Sequence, residues 1–311
     1  MSLHPLFQAL AAAAVKSGRP SFSGGTVEQA RARSRQLMER TGAGPSVARV
    51  EDYLIPARGG EIPARLLAAD APQAVIVYLH GGGWTIGSIE EWDALARTLA
   101  NALPAAVLVL GYRLAPEHPY PAALEDSWDA LRWAADNIEQ LAGSRVPLIV
   151  MGDSAGGNLA AVLAQKARDA GGPAIAAQAL VYPVTDATMS SASYAEFASD
   201  PVFSSDDVAW LTRQYVPDLE RRRDPEISPA FGRLDNLPPA VVLTARHDPL
   251  RDEGNAYATA LRAAGNEVVS FEVDNMAHGF ILMINLLPEA TEWVHRIAAS
   301  LREFLHDKER G

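Results

Sequence analysis

The 311-residue sequence contains no cysteine. Disulfides, thiolate metal sites and cysteine nucleophiles are therefore excluded together, and stability has to come from a packed core. Cations are also outnumbered: 27 lysines and arginines stand against 38 aspartates and glutamates, a formal net charge of −11. Nucleic acid and anionic membranes both need a basic face, so this balance argues against either as a partner. The one basic cluster, three arginines at 221–223, is flanked by Glu220 and Asp224 and reads as a solvated turn. No apolar run reaches the roughly 18 residues that span a bilayer. The apolar stretch at 6–15 lacks the basic residues that precede a secretory core and reads as a short amphipathic helix, which points to a cytoplasmic protein. Internal repeats and low-complexity linkers are absent too.

What is present is an ordinary globular composition, 48% hydrophobic and 21% charged. Residues 1–45 read as helical: Thr26 followed by Gln29 makes a capping box, and a helix runs from there to about Arg40, stopped by Gly42, Gly44 and Pro45. Two strand-like runs at 48–55 and 61–68 flank a Gly59-Gly60 turn. Five short apolar runs follow at 74–79, 105–110, 147–151, 176–181 and 240–244, and a more amphipathic one at 267–273 suits a sheet edge. Helical stretches near 90–101, 121–140, 155–170, 252–264 and 288–306 separate most of them. Buried strands alternating with helices predict an α/β protein, a mostly parallel eight-stranded sheet with helices on both faces. In such sheets ligands bind at the carboxyl ends of the strands. The alternation breaks between Tyr182 and Asp235, a stretch that carries Tyr194, Phe197, Phe203, Trp210 and Tyr215 with a helix over 205–215. An excursion there, above two strand ends, reads as a lid. The expected organisation is an N-terminal helical cap segment at 1–45 and a catalytic domain at 46–311, with a cap insertion at about 186–235.

The residues just after the apolar runs carry the chemistry. After the run ending at Met151 comes Gly152-Asp153-Ser154-Ala155-Gly156, then a helix. This is the G-x-S-x-G nucleophile elbow, in which a strained strand-to-helix turn exposes the serine hydroxyl and the glycines leave room for close backbone approach. After the 74–79 run comes His80-Gly81-Gly82-Gly83-Trp84. Acyl transfer builds charge on a carbonyl oxygen, and glycine N–H groups can turn toward it unobstructed. Gly82, Gly83 and Ala155 are the candidate donors, with His80 as a brace for its loop. A serine nucleophile needs a base, and the base an orienting acid, in the chain order Ser, Asp or Glu, His. His295 and His306 lie in a polar helix, which leaves His278, in a loop at the end of the last strand and followed by Gly279. Asp248, just past the 240–244 run, is the favoured acid, with Asp252 and Glu253 as alternatives in the first turn of the next helix. The sequence has no H-E-x-x-H, no phosphate-binding P-loop and no dinucleotide fingerprint after a strand, so no metal or cofactor is implied.

At this point the chain resembles the bacterial members of the hormone-sensitive lipase family of esterases, an α/β-hydrolase group. The shared segments are HGGGW (80–84), YRLAPEHPYPAALED (112–126), GDSAGGNLA (152–160), YPVTD (182–186), DPLRDEG (248–254), YATALRAAG (257–265) and MAHGF (276–280), in the family's order. The resemblance implies an eight-stranded α/β-hydrolase core, a helical cap and carboxylesterase activity on short- to medium-chain esters. It carries over Ser154, Asp248 and His278 as a catalytic triad and Gly82, Gly83 and Ala155 as the oxyanion hole. Arg113 and Glu117, in YRLAPE, read as loop braces. The expected reaction is ping-pong acyl transfer on a small-molecule ester, through an acyl-enzyme on Ser154. An amidase or acetyl-group hydrolase would use the same residues. A non-catalytic small-molecule receptor on this fold would be expected to lose one of the three. Family habit also allows a homodimer through the edge strand.

Overall fold

In the computed structural model, which describes residues 2–18, 21–39 and 41–310, helices and strands are built around one sheet. Two helices, α1 (Pro5–Ser17) and α2 (Val27–Glu39), precede β1 (Arg49–Ala57) and β2 (Gly60–Ala68). There follow β3 (Ala74–Leu79), α3 (Ile89–Ala102), β4 (Ala105–Leu110), α4 (Ala122–Asp136), α5 (Ile138–Ala142), β5 (Leu148–Asp153), α6 (Ala155–Ala170) and β6 (Ala177–Val181). An excursion then carries α7 (Ala192–Glu196) and α8 (Ser205–Tyr215). The chain returns through β7 (Ala240–His247), α9 (Arg251–Ala263), β8 (Val268–Ala277) and α10 (Pro288–Arg310). The eight strands lie in the order β1-β2-β4-β3-β5-β6-β7-β8. β1 pairs antiparallel with β2, as the Gly59-Gly60 turn predicts, and β2 antiparallel with β4; every other pair is parallel. This is the α/β-hydrolase fold.

The central strands are apolar throughout because both their faces are covered. All six residues of β3 are buried, and so are all six of β4. Alternate side chains serve opposite layers: Val75, Val77 and Leu79 join Leu131, Leu159 and Leu261 on one face. Ile76 and Tyr78 join Leu95, Leu99, Val294 and Ile297 on the other. Each such aliphatic side chain contributes ~1.5–3 kcal/mol by leaving water. At the sheet edge β8 mixes buried with half-exposed positions, as its amphipathic pattern predicts.

Local signals and local structure agree at several ends. Gln29 N donates to Thr26 Oγ1 and Thr26 N to Gln29 Oε1, the reciprocal bonds of a capping box. α2 is described as far as Glu39; the expected end near Arg40 falls outside the described residues. The single helix expected over 121–140 breaks at Asn137. Its N–H ends α4 on the carbonyls of Trp133 and Ala134, and its Nδ2 donates to Trp133 O as well. α1 forms where expected but buries only Phe7, so its apolar residues are spent elsewhere than on a core. Of the three arginines read as a solvated turn, Arg221 and Arg223 are exposed. Arg222 is half-buried, and its Nε has no partner among the described residues. No helix among the described residues is long and apolar enough to cross a membrane.

Candidate active site

β5 runs straight into the elbow. Ser154 has φ +54° and ψ −120°, a conformation that costs a non-glycine residue energy and is held by its surroundings. Its N–H donates to Val181 O at 2.8 Å, and its carbonyl accepts from Val184 N and Asn158 N. A Cβ on Gly156 would fall on the carbonyl oxygen of Leu79, and one on Gly152 on that of Gly156, so only glycine permits this turn. The strain is offset by the packing of three main-chain segments against one another.

The structure brings Ser154, His278 and Asp248 together from the ends of β5, β8 and β7. His278 Nε2 lies 3.0 Å from Ser154 Oγ, and His278 Nδ1 lies 2.7 Å from Asp248 Oδ2. The Asp248 side chain is fully buried and that of His278 is 11% exposed. The other carboxylate oxygen of Asp248 accepts from Leu250 N, which fixes its orientation. Asp252 and Glu253, the alternative acids, are occupied elsewhere. Asp252 accepts from Ser193 N, while Glu253 accepts from Thr185 N, Asp186 N and the Tyr194 hydroxyl. Glu253 is therefore no helix-end acid in solvent but a buried clamp between α9 and the excursion. Burial pushes its carboxyl up to about 8, against the pull of those donors.

Facing Ser154 is the glycine loop. Gly82 (φ +101°) and Gly83 (φ +59°) adopt backbone conformations that side chains rarely allow. Neither N–H is taken by a backbone or side-chain acceptor among the described residues. Ala155 starts α6, so its N–H is one of the donors a helix leaves open at its N-terminus. His80 braces this loop: it is buried, its Nδ1 lies 2.7 Å from Gly81 O, and it stacks on Tyr112 with centroids 4.3 Å apart. Burial lowers its pKa to about 4, which keeps the ring neutral. His295 and His306 are exposed on α10.

Several residues of the site escaped sequence reasoning. Asp153, the variable position of the elbow, is buried beneath the glycine loop. Its Oδ1 accepts from Trp92 Nε1, the Tyr78 hydroxyl and Gly81 N at 2.7, 2.9 and 3.1 Å. Burial raises its pKa to about 6, and the donors restrain that rise. Arg31 of α2 was unremarked as well. It makes a two-pronged bond to Glu117 and donates to the carbonyls of Thr85 and Ala115, so Glu117 ties down a helix rather than only its own loop. Arg113 makes the comparable pair with Asp126. Phe203 and Tyr182 pack on the His278 ring with centroids 4.4 and 4.5 Å away. The aromatic content of the excursion was the only available signal for Phe203.

Above Ser154 lies a cavity of about 720 Å³. Its floor includes Gly82, Asp153, Ser154 and His278; Leu10, Phe22 and Leu37 come from the N-terminal segment, and Val202, Phe203 and Leu211 from the excursion. The two covering segments meet where Ser23 N donates to Asp207 Oδ1 in the capping box of α8.

The Ser154–His278–Asp248 contacts, the glycine loop beside them and a largely apolar cavity fit a hydrolase of the acyl-transfer class. Comparison with known proteins agrees. The model of an α/β-hydrolase-fold family matches residues 76–282. Carboxylesterase NlhH of Mycobacterium tuberculosis is 41% identical over 288 residues, covering 90% of each chain. The ethyl acetate hydrolase of Pseudomonas putida is 35% identical over 266 residues, covering 82% of this chain and 83% of its own. Among solved structures, the hyperthermophilic esterase of the archaeon Pyrobaculum calidifontis superposes with a TM-score of 0.91 at 40% identity, over 97% of this chain and 99% of its own. The chain belongs to this α/β-hydrolase family, and its resemblance to the hormone-sensitive lipase esterases holds.

Proposed function

We propose that the chain is a serine carboxylesterase that cleaves short- to medium-chain carboxylic esters through an acyl-enzyme on Ser154. The observation that carries this reading is the Ser154–His278–Asp248 relay, whose Ser154 and His278 line the cavity beside Gly82. His278 Nδ1–H donates to Asp248, which leaves Nε2 free to take the Ser154 proton as Oγ attacks the ester carbonyl. Charge on the carbonyl oxygen is met by the N–H groups of Gly82, Gly83 and Ala155, preorganised and away from water. The imidazolium then protonates the departing alcohol. Water, deprotonated by the same base, releases the acid. The relatives named as a carboxylesterase and an ethyl acetate hydrolase support ester hydrolysis as the activity. A non-catalytic receptor has no need of a complete relay.

In this reading residues 1–45 and 186–235 form a cap whose apolar side chains receive the acyl or alcohol group. A panel of nitrophenyl esters from acetate to palmitate tests the activity and measures the acyl pocket together. Turnover concentrated at the short and middle lengths is expected, and no turnover with any member overturns the reading. Matched ester and amide substrates separate an esterase from an amidase by their kcat/KM.

A further inference from the structure

The His278 imidazole is covered by aromatic rings of different origin. Tyr182 comes from the end of β6 and tilts at 54° to it; Phe203 comes from the excursion and lies at 13°, a parallel stack 4.4 Å away. The backbone around Phe203 is fixed on both sides. Before it, Asp200 Oδ1 accepts from Val202 N and Phe203 N. After it, Ser204 and Asp207 form the reciprocal capping box of α8, and Ser205 Oγ donates to Tyr194 O. So many local bonds hold a ring that is itself only partly buried, on the wall of the cavity. These bonds fix the backbone on either side of Phe203 and so restrict where its ring can lie.

We propose that Phe203 is a positioning residue for the reaction: its stacked ring holds the His278 imidazole toward Ser154 and favours the imidazolium that forms as the serine attacks. The proposal rests on the reading of His278 as the base. An aromatic face carries negative charge density and attracts a cation lying over it. That attraction is stronger once the imidazole is protonated, and an interaction that strengthens on the way to the transition state lowers the barrier rather than merely tightening binding. The ring also takes the place of water that would weaken the His278–Asp248 pair. No bond to Phe203 forms or breaks; the proton passes from Ser154 to His278 and on to the leaving alcohol.

The test uses nitrophenyl acetate, whose small acyl group depends little on the outer cavity wall. Phe203→Leu, which keeps apolar bulk but removes the ring, is expected to lower kcat about fivefold with KM changed less than about twofold. Phe203→Tyr, which keeps the ring, is expected to return kcat to within about twofold of the parent. A leucine variant with parental kcat and altered KM, or a tyrosine variant as slow as the leucine one, overturns the proposal. Should Phe203→Leu fail to fold, Phe203→Met takes its place. Ser154→Ala and His278→Ala run alongside: substantial turnover in either counts against the relay itself. Their silence beside an unchanged Phe203→Leu counts against the stacking alone.

Discussion

At the floor of the cavity main chain packs on main chain, whereas in the N-terminal part of its roof side chains reach across to hold helices that bury little of themselves. Gly156 lies against the carbonyl of Leu79, and Gly152 against that of Gly156, with no room for a Cβ at either. On the roof, α1 buries only Phe7. α2 is tied down by Arg31 to Glu117 and by the Ser34 hydroxyl to Glu91. The contrast teaches where precision is needed. In the proposed function, a nucleophile must be placed to a few tenths of an ångström, which close-packed backbone supplies, and a substrate cover has to admit and release molecules, which separable polar contacts allow.

The strongest way to test the floor is to remove its chemistry and keep its shape. Ser154→Ala is expected to lower kcat on nitrophenyl esters about 10⁵-fold and to abolish phosphonate labelling, with thermal unfolding near that of the parent. Gly156→Ala attacks the shape instead. A methyl group driven at Leu79 O is expected to cost about 3 kcal/mol in urea unfolding or to prevent folding. If it were accepted at no cost, the floor would not be the rigid region described.

The seam between floor and roof should respond to pH through Glu253. Burial raises its folded-state pKa from the ordinary 4.5 to about 8. The stability it contributes is therefore whole below about 4.5 and is lost as pH rises through about 8. Glu253→Gln is expected to flatten that part of the decline, read as the difference in urea midpoint between pH about 5 and about 9. The smallest effect belongs to the roof. Glu117 is 52% exposed, so Glu117→Gln is expected to cost only about 0.5 kcal/mol in global unfolding. Hydrogen exchange in α2 should nevertheless quicken several-fold more than in α6. Equal change in both helices would erase the contrast between the two regions. Arg31 also holds the Glu117 carboxyl down at about 2, so this bond persists above about pH 4.5 and fails as pH falls toward 2.

Much of this was legible in the order of residues. Covered strands must be apolar on both faces, so β3 and β4 stand out as unbroken apolar runs and their limits coincide with the structure. The elbow and the glycine loop are legible for a similar reason, since close backbone approach and positive φ admit few residues and leave glycines at set spacings. Ser154, Gly82, Gly83 and Ala155 could be named on those grounds, and His278 from chain order and its place after the last strand; Asp248 was favoured by its place just past β7, but Asp252 and Glu253 lie within the same six residues. Only the fold decides among them, because the turn after β7 aims Asp248 at His278 and buries Glu253 against Thr185 and Tyr194. Asp153 and Arg31 were silent in sequence, and Phe203 showed only as one aromatic among several in the excursion. Each acts across 61 residues or more of chain, from Asp153 to Trp92, Arg31 to Glu117 and Phe203 to His278, and no local pattern encodes such a pairing. The sequence by itself determined the sheet, the turn that strains the serine and the loop that faces it, since these follow from local sterics and burial periodicity. Tertiary structure alone brought Asp248 rather than its neighbours onto His278 and decided what covers that ring and how the roof is held, since those contacts exist only once distant segments meet.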